Sequence, residues 1–305
     1  MEYSKPQLEA VRHVDGPMMV LAGPGSGKTA VITGRVRYLL EEMKIAPQTI
    51  LVITFTKAAA TEMRERFIKL MGESKGVQFA TFHSIFFMIL RVSYGYGVDQ
   101  IITEEMTRNF LKEKIRGLDL EEGDEKDFIK NVIGEISRVK SEGVDIENYY
   151  SISCPEEAFR DIFRSYEAFM KERGLIDFDD MMILCDKLFS DYPHILEAWQ
   201  SKFTYILIDE FQDVSRLQFE LVSKMAKPRN NIFIVGDDDQ SIYRFRGAKP
   251  EIMLGFEKIY PNCKKVILNE NYRSTEAILN FAGSVIHKNK QRFDKKIVAA
   301  KREAG

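Results

Sequence analysis

A glycine-rich stretch near the start of the chain has the residue types needed to hold a phosphate group. Its members are Ala22, Gly23, Pro24, Gly25, Ser26, Gly27, Lys28, Thr29 and Ala30. Glycines let the backbone curl so that its N–H groups face inward, and the start of a following helix adds partial positive charge. Lys28 would reach the β- and γ-phosphates of a nucleoside triphosphate, and the Thr29 hydroxyl would ligate Mg²⁺. Ala22 stands where this motif usually has its first glycine.

Two acidic residues follow an aliphatic segment much later in the chain. Tyr205–Ile208 leads directly into Asp209 and Glu210. The carboxyl ends of parallel strands meet at one edge of a sheet, so these acids would lie beside the glycine-rich turn. Asp209 would hold Mg²⁺, and Glu210 would orient and deprotonate an attacking water. The alternative is a strand that ends in solvated acids, and the glycine-rich stretch upstream argues against it.

Six short apolar segments recur along the chain and are the elements that must position these groups. They cover residues 18–22, 50–55, 77–82, 205–210, 232–237 and 265–268. Such runs are typical of parallel strands that are buried on both faces. Between about residues 84 and 200, apolar residues fall instead at helical spacing. The sequence therefore predicts an α/β domain with a parallel sheet, into which a mainly helical subdomain is inserted.

Composition and charge limit the class of protein. With 305 residues, 45% of them hydrophobic, the chain can bury a sizeable core. A net charge of −2 excludes a wholly basic nucleic-acid binder but allows a local basic groove. No apolar run has the length of a membrane helix, and the first ten residues lack an apolar signal-peptide centre. Three widely spaced cysteines form neither a metal nor a disulfide pattern. We therefore expect a cytoplasmic protein with reduced thiols.

Further segments carry a recognisable series of motifs. They lie at residues 3–11, 54–63, 81–84, 209–213, 235–248 and 268–275. The most specific is 235–248, Val-Gly-Asp-Asp-Asp-Gln-Ser-Ile-Tyr-Arg-Phe-Arg-Gly-Ala. In content and in order, the series resembles the motifs of UvrD/Rep/PcrA-type superfamily 1A DNA helicases. The resemblance implies a RecA-like P-loop NTPase domain.

The resemblance also implies roles for individual residues. Gln7 would read the adenine edge, and Tyr272 would stack on the base. Gln240 would sense the γ-phosphate, and Arg273 would contact it like an arginine finger. Arg246 would couple the nucleotide site to DNA. The single-stranded DNA track would be lined by Phe55, Thr56, His83, Tyr243 and Phe245. Aromatic faces on such a track stack on any base without reading sequence.

By the same resemblance, the chain would be the N-terminal part of an ATP-dependent DNA helicase that moves 3′-to-5′ on single-stranded DNA. Residues 1–85 and 200–275 would form the ATP-binding domain, 86–199 the helical insertion, and 276–305 the start of a second motor domain. We expect a fragment that hydrolyses ATP poorly and cannot unwind DNA alone. Its partners would be single-stranded DNA, duplex junctions, and repair or replication proteins, with no membrane; the sequence leaves the oligomeric state open.

Other interpretations remain open. The chain is also compatible with the helicase part of a helicase–nuclease, or with a nucleotide-dependent DNA-binding module without turnover. A P-loop kinase or transport ATPase is a further class, against which the segment 240–248 argues. Departures from the family pattern are Phe245 in place of Trp, Lys57 in place of Asn and Ala30 in place of Arg, so some contacts to DNA and nucleotide are in doubt. In the helical insertion, the acids of 177–180 predict a helix cap with solvated carboxylates.

Overall fold

The computed structural model describes residues 3–116, 125–243 and 247–300, and these form two compact units. Residues 3–82, 192–243 and 248–300 make up the first unit, and residues 83–116, 125–191 and 247 make up the second. Each unit has its own cluster of buried apolar side chains. The described part of 276–305 belongs to the same compact unit as the sheet. Its assignment to a second motor domain stays a prediction.

The first unit is built on a six-stranded parallel sheet. Its strands are β1 (Met18–Ala22), β2 (Ile50–Thr54), β3 (Gln78–Thr81), β4 (Tyr205–Ile208), β5 (Ile232–Gly236) and β6 (Lys264–Leu268). The spatial order is β3-β2-β4-β5-β1-β6, and every pairing is parallel. The four central strands are buried along their whole length, whereas the edge strands β3 and β6 are partly exposed. The predicted α/β fold is confirmed, because each predicted apolar segment forms one of these strands.

Helices connect the strands and cover the sheet. Those of the first unit are α1 (Lys5–Arg12), α2 (Lys28–Glu41), α3 (Lys57–Met71), α9 (Pro193–Lys202), α10 (Arg216–Ala226), α11 (Pro250–Leu254), α12 (Phe256–Ile259) and α13 (Glu276–Ile286). A separate pair of very short strands, β7 (Glu270–Asn271) and β8 (Val298–Ala299), joins the segment after β6 to the segment after α13. Sequence periodicity did not predict this pair, because two residues are too few to show a period.

The parallel register brings three chain turns together at one edge of the sheet. In β1, Leu21 pairs with Gly236 of β5, and in β4, Ile208 pairs with Ile234 of β5. Since β5 lies between β4 and β1, the segments that leave these three strands start next to one another. The glycine-rich stretch, Asp209 and Asp237 are the first residues of those segments. This edge therefore holds the residues to which chemistry was assigned.

The second unit is mainly helical, as predicted for the insertion. It contains most of α4 (Phe82–Tyr94), together with α5 (Glu104–Ile115), α6 (Glu125–Glu142), α7 (Glu156–Arg173) and α8 (Phe178–Asp191). Apolar side chains from α5, α6 and α7 share one buried cluster. Within the described ranges, no helix combines the length and the apolar composition needed to cross a bilayer.

A buried lysine organises the acidic segment before α8. Lys140 Nζ lies 2.7 Å from Asp177 Oδ2, 2.6 Å from Asp180 Oδ1 and 3.2 Å from Glu167 Oε1. Asp177 Oδ1 also accepts a hydrogen bond from the Asp180 backbone N–H at 2.8 Å, so the predicted helix cap is present. The prediction that these acids are solvated was wrong, because Lys140 on α6 neutralises them inside the unit.

Replacing Lys140 with Met should destabilise the helical unit by about 3 kcal/mol at pH 7.5, since it leaves partly buried carboxylates without their cation. Burial, followed by the charge of Asp177, raises the pKa of Asp180 to about 6. An acid with a raised folded-state pKa stabilises the fold below its unfolded pKa, about 4, and loses that contribution as the pH rises through about 6. The penalty of Lys140→Met should therefore be smaller at pH 5, where the carboxylates take up protons.

Urea unfolding of both chains at the two pH values measures this difference. Lys112→Met is the matched control, because Lys112 pairs with Glu125 at 2.9 Å on an exposed surface. Its cost should stay below about 1 kcal/mol at either pH. An equal loss from the two substitutions would contradict the role given to Lys140.

Candidate functional site

The glycine-rich stretch forms a tight turn that opens onto the start of α2. Ser26 donates two hydrogen bonds to the Gly23 carbonyl, from its backbone N–H at 3.3 Å and from Oγ at 2.7 Å. Gly25 and Gly27 have φ angles of 66° and 87°, in the left-handed region that favours glycine. Lys28 is the first residue of α2. The turn therefore presents backbone N–H groups and a helix N-terminus to the same small volume, which suits an anion.

Neighbouring segments pack closely on this turn, so a Cβ atom added at either of two glycines would collide with a neighbouring side chain. A Cβ at Gly25 would lie 2.7 Å from Arg273 Cβ, and a Cβ at Gly27 would lie 2.9 Å from Gln7 Nε2. The Tyr272 backbone N–H donates to the Gly25 carbonyl at 3.0 Å. The segments that carry Gln7, Tyr272 and Arg273 are thus brought to the turn, and their contacts with a nucleotide stay a prediction.

The side chains of these three residues differ in solvent exposure. Gln7 is buried: its Oε1 accepts from the Ser4 backbone N–H at 3.0 Å, and its Nε2 donates to the Ser26 carbonyl at 2.9 Å. Tyr272 is 45% exposed and donates its hydroxyl to Glu270 Oε2 at 2.6 Å. Arg273 is exposed. An exposed ring beside the turn is available to stack on a base, whereas the Gln7 amide already ties α1 to the turn.

An ion pair joins the turn to the acids after β4. Lys28 Nζ donates to Glu210 Oε2 at 3.0 Å. Glu210 has φ 49°, a left-handed conformation that is unfavourable for a residue with a Cβ. Its backbone N–H donates to Asp209 Oδ1 at 3.0 Å. The backbone at this point turns sharply and sends two consecutive carboxylates toward the glycine-rich turn.

The two acids nearest Glu210 resist ionisation. Burial, followed by the negative charge of Glu210, raises the pKa of Asp209 to about 7 and that of Asp213 to about 6. One carboxylate oxygen of Asp213, Oδ1, is buried and has no hydrogen-bond partner. Carboxylates in this condition are stabilised by a nearby cation.

The oxygen donors at this edge fit Mg²⁺. The Asp209 carboxylate and the Thr29 hydroxyl are hard oxygen ligands, and Thr29 is half-buried in the first turn of α2. Among the described residues, no group of three or more His, Cys, Asp or Glu side chains is arranged to hold a metal ion by itself. Mg²⁺ takes few protein ligands and completes its shell with phosphate oxygens and water.

Gln212 connects the acids to the segment after β5. Its Nε2 donates to Glu210 Oε2 at 2.9 Å, and its Oε1 accepts from the Asp237 backbone N–H at 2.9 Å. Asp237 Oδ2 in turn accepts from Gln240 Nε2 at 2.6 Å. A continuous path of hydrogen bonds therefore runs from Lys28 through Glu210, Gln212 and Asp237 to Gln240.

The residues predicted to line a DNA track are placed in different surroundings. Phe55 and Tyr243 stack with ring centroids 5.4 Å apart at an interplanar angle of 22°, and both are half-buried. Thr56 is exposed, and its hydroxyl caps α3 by accepting from the Ala59 backbone N–H at 3.1 Å. His83 belongs to the second unit, where its ring lies 4.8 Å from Phe178 and burial lowers its pKa. Two further predicted residues, Phe245 and Arg246, lie outside the described residues.

Residues 3–261 match the family described as the UvrD/REP helicase N-terminal domain. The chain belongs to this family. Its relatives include a protein of Bacillus subtilis (strain 168) with the name "Putative ATP-dependent DNA helicase YjcD", which is 40% identical over 97% of this chain and 40% of its own length. The ATP-dependent DNA helicase PcrA of the same organism is 38% identical over 95% of this chain and 40% of its own length. The chain therefore spans about two fifths of the length of these relatives.

Membership of the UvrD/REP helicase family agrees with the resemblance found in the sequence, but several residues at the sheet edge carried no predicted role. Gln212 lies inside the segment 209–213, where its position after Asp209 and Glu210 and before Asp213 was the available signal. Arg292 and Lys295 contact the acids after β5. Nothing in the local sequence around them indicated this, because their partners lie more than fifty residues earlier in the chain.

Replacing Gly25 with Ala should weaken binding of ADP to this UvrD/REP domain. The new Cβ would displace Arg273 and the neighbouring segment and would add about 1 kcal/mol of backbone strain. Gly16→Ala is the matched control, because Gly16 has φ 86° but no atom within 4 Å of an added Cβ. Gly16→Ala should lose only the stability that corresponds to backbone strain, and Gly25→Ala should lose more because of the added clash. Titration with fluorescent ADP should show weaker binding for Gly25→Ala alone. Unchanged affinity in that variant would argue that the packing around the turn does not matter for the ligand.

Proposed function

We propose that this chain is the nucleotide-binding part of a DNA-dependent ATPase that uses Mg²⁺ and ATP to move 3′-to-5′ along single-stranded DNA. The observation that carries the proposal is the path of hydrogen bonds from Lys28 to Gln240, which runs across the carboxyl edge of the sheet. Three residues after Gln240 comes Tyr243, stacked on Phe55. A nucleotide site and an aromatic surface thus share one short segment. The relatives' names include the words ATP-dependent DNA helicase, which supports the use of ATP and the action on DNA.

In this proposal the residues at the turn bind and orient the triphosphate. Lys28 and the backbone N–H groups of the turn hold the phosphates, and the exposed ring of Tyr272 stacks on the base, with Gln7 reading its edge. Thr29 and Asp209 would hold Mg²⁺, which neutralises charge on the β- and γ-phosphates. The raised pKa of Asp209 fits this role, because a bound dication favours the ionised carboxylate.

Hydrolysis in this scheme depends on Glu210. The carboxylate accepts a proton from the water that attacks the γ-phosphorus, and ADP leaves as the bond to the β-phosphate oxygen breaks. Glu210 now binds Lys28 Nζ at 3.0 Å, so phosphate oxygens would compete with it for the same ammonium group. Capture of Lys28 by phosphate releases a Glu210 oxygen toward water. Gln240 and Arg273 would respond to the γ-phosphate, and Arg246 would pass the change toward DNA.

The stacked pair Phe55 and Tyr243 supplies the DNA contact in the first unit. Stacking of a base on an aromatic ring contributes about 1–3 kcal/mol and tolerates any base, which suits movement along arbitrary sequence. The segment 237–243 connects this pair directly to the γ-phosphate-sensing residue. Movement of Gln240 on hydrolysis would thereby shift the ring that holds a base. Repair or replication proteins, and duplex junctions, are the partners that fit this activity.

Replacing Glu210 with Gln should lower ATP hydrolysis at least about 100-fold while ATP binding is retained, since the amide cannot accept the proton. Steady-state ATPase assays with and without oligo(dT) measure the rate, and fluorescent nucleotide titration measures binding. Glu257→Gln is the control, because Glu257 forms an ion pair with Lys265 away from the turn. Hydrolysis that survives in Glu210→Gln would remove Glu210 from the mechanism. Because we expect the 305-residue chain to hydrolyse ATP poorly by itself, these assays use the full-length protein. Wild-type full-length protein that binds ATP and DNA without turnover would favour the alternative of a binding module.

Replacing Tyr243 with Ala should weaken binding of oligo(dT) about tenfold, because one stacking surface is lost. Tyr243→Phe keeps the ring and should bind within about threefold of the wild type. Fluorescence anisotropy with labelled oligo(dT) gives the affinities. Tyr150→Ala serves as the matched control, since Tyr150 is an exposed tyrosine of the helical unit. Similar losses in Tyr243→Ala and Tyr150→Ala would show that the stacked pair is not a DNA surface.

A further inference from the structure

Three consecutive carboxylates follow β5, and all of them bind one short segment from much later in the chain. Lys295 Nζ lies 2.9 Å from Asp237 Oδ1 and 2.9 Å from Asp239 Oδ2, and it also donates to Asp238 Oδ1. Lys295 is 5% exposed, and Asp237 is fully buried. The Lys295 ammonium group therefore forms ion pairs with three carboxylates at a position that is largely shielded from water.

The same segment, residues 292–298, adds further contacts to these acids. Arg292 binds Asp239 through two parallel hydrogen bonds of 2.7 Å, from Nε and from Nη2. The Phe293 backbone N–H donates to Asp238 Oδ2 at 2.8 Å. Bidentate pairs of this kind fix orientation as well as charge. The turn after β5 is thus held at all three acidic positions.

Asp237 is the residue through which this clamp reaches the nucleotide site. Its Oδ1 receives Lys295, its Oδ2 receives Gln240 Nε2 at 2.6 Å, and its backbone N–H is held by Gln212. Without a cation, the buried carboxylates of Asp237 and Asp238 and the half-buried carboxylate of Asp239 would repel one another, and the turn would lose its single conformation. The position of the Gln240 amide therefore depends on Lys295 through one shared carboxylate.

The segment 292–298 has anchors that do not involve the acids. The Val298 backbone N–H donates to the Asn269 carbonyl at 2.8 Å, and β8 pairs with β7. The Ile297 side chain lies against Gly23, where an added Cβ would be 2.7 Å from Ile297 Cδ1. Loss of the Lys295 charge would therefore leave the segment in place, so its effect on the turn can be measured separately from unfolding.

We infer that Lys295, supported by Arg292, is a positioning residue that sets Gln240 for recognition of the γ-phosphate. The inference rests on the proposed function, in which Gln240 distinguishes ATP from ADP. A positioning role predicts a specific defect: ADP affinity stays unchanged, whereas the preference for a triphosphate falls. A residue that only stabilises the fold would weaken both nucleotides alike.

The test compares the Kd of fluorescent ADP with that of fluorescent AMPPNP, both with Mg²⁺, for the 305-residue chain. Lys295→Met removes the charge at similar length and should lower the triphosphate preference about tenfold. Gln240→Ala should lower it by a similar factor. Because both act through the same contact, the double variant should show no further loss. Lys112→Met, which breaks the surface pair with Glu125 in the helical unit, is the matched control and should keep the wild-type ratio of the two Kd values.

Two results would overturn the inference. One is an unchanged ratio of the ADP Kd to the AMPPNP Kd in Lys295→Met, and the other is a double variant in which the two losses of triphosphate preference multiply. Should Lys295→Met not fold, Arg292→Gln provides the same comparison, since it removes the bidentate pair from a more exposed position. The inference is supported if Arg292→Gln lowers the ratio of the ADP Kd to the AMPPNP Kd and the addition of Gln240→Ala lowers it no further. A wild-type ratio in Arg292→Gln contradicts it. A wild-type chain that binds neither nucleotide would instead contradict the proposed function, and the inference with it.

Discussion

The parallel pairing of β5 with both β4 and β1 is the constraint on which the arrangement at the sheet edge depends. Parallel strands end on the same side, so the residues that follow them meet without any long loop to bring them together. Here that side receives the glycine-rich turn, the acids at 209–210 and the acids at 237–239. A shift of β5 by one residue would exchange the side chains on its two buried faces and separate the Asp237 amide from Gln212. The chemistry of the edge is in this sense a property of strand register.

Crowding of acids at this edge is the main electrostatic cost of the arrangement. Asp209, Asp213, Asp237 and Asp238 are all buried, and a buried carboxylate is expensive unless a cation or hydrogen-bond donors accompany it. Lys28 serves the acids after β4, and Lys295 serves those after β5. Gln212, which has a donor and an acceptor at one end, lies between the two groups and binds both. Because its second contact is with the Asp237 backbone N–H and not with a carboxylate, this neutral amide joins the two segments without adding charge.

Much of the fold was predictable because its central strands are buried on both faces and therefore read as unbroken apolar runs. The turn at 22–29 and the acids at 209–210 were predictable because their chemistry is local in sequence. The partners of Lys295 were not predictable, since its segment has a polar sequence and only tertiary packing determines which carboxylates this lysine contacts. The same reason explains the error at Asp177 and Asp180. Their type and position indicated a cap correctly, but the lysine that neutralises them lies on a helix thirty-seven residues earlier.

The backbone of Glu210 has a consequence for how this domain can change. With φ 49°, the residue occupies a left-handed conformation that costs a residue with a Cβ about 1 kcal/mol more than it costs glycine. The polypeptide thus retains a side chain at a point where its own folding energy favours having none. Under the proposed function, stability and reactivity favour different residues at position 210. Selection for thermal stability alone would then favour loss of the Glu210 carboxylate.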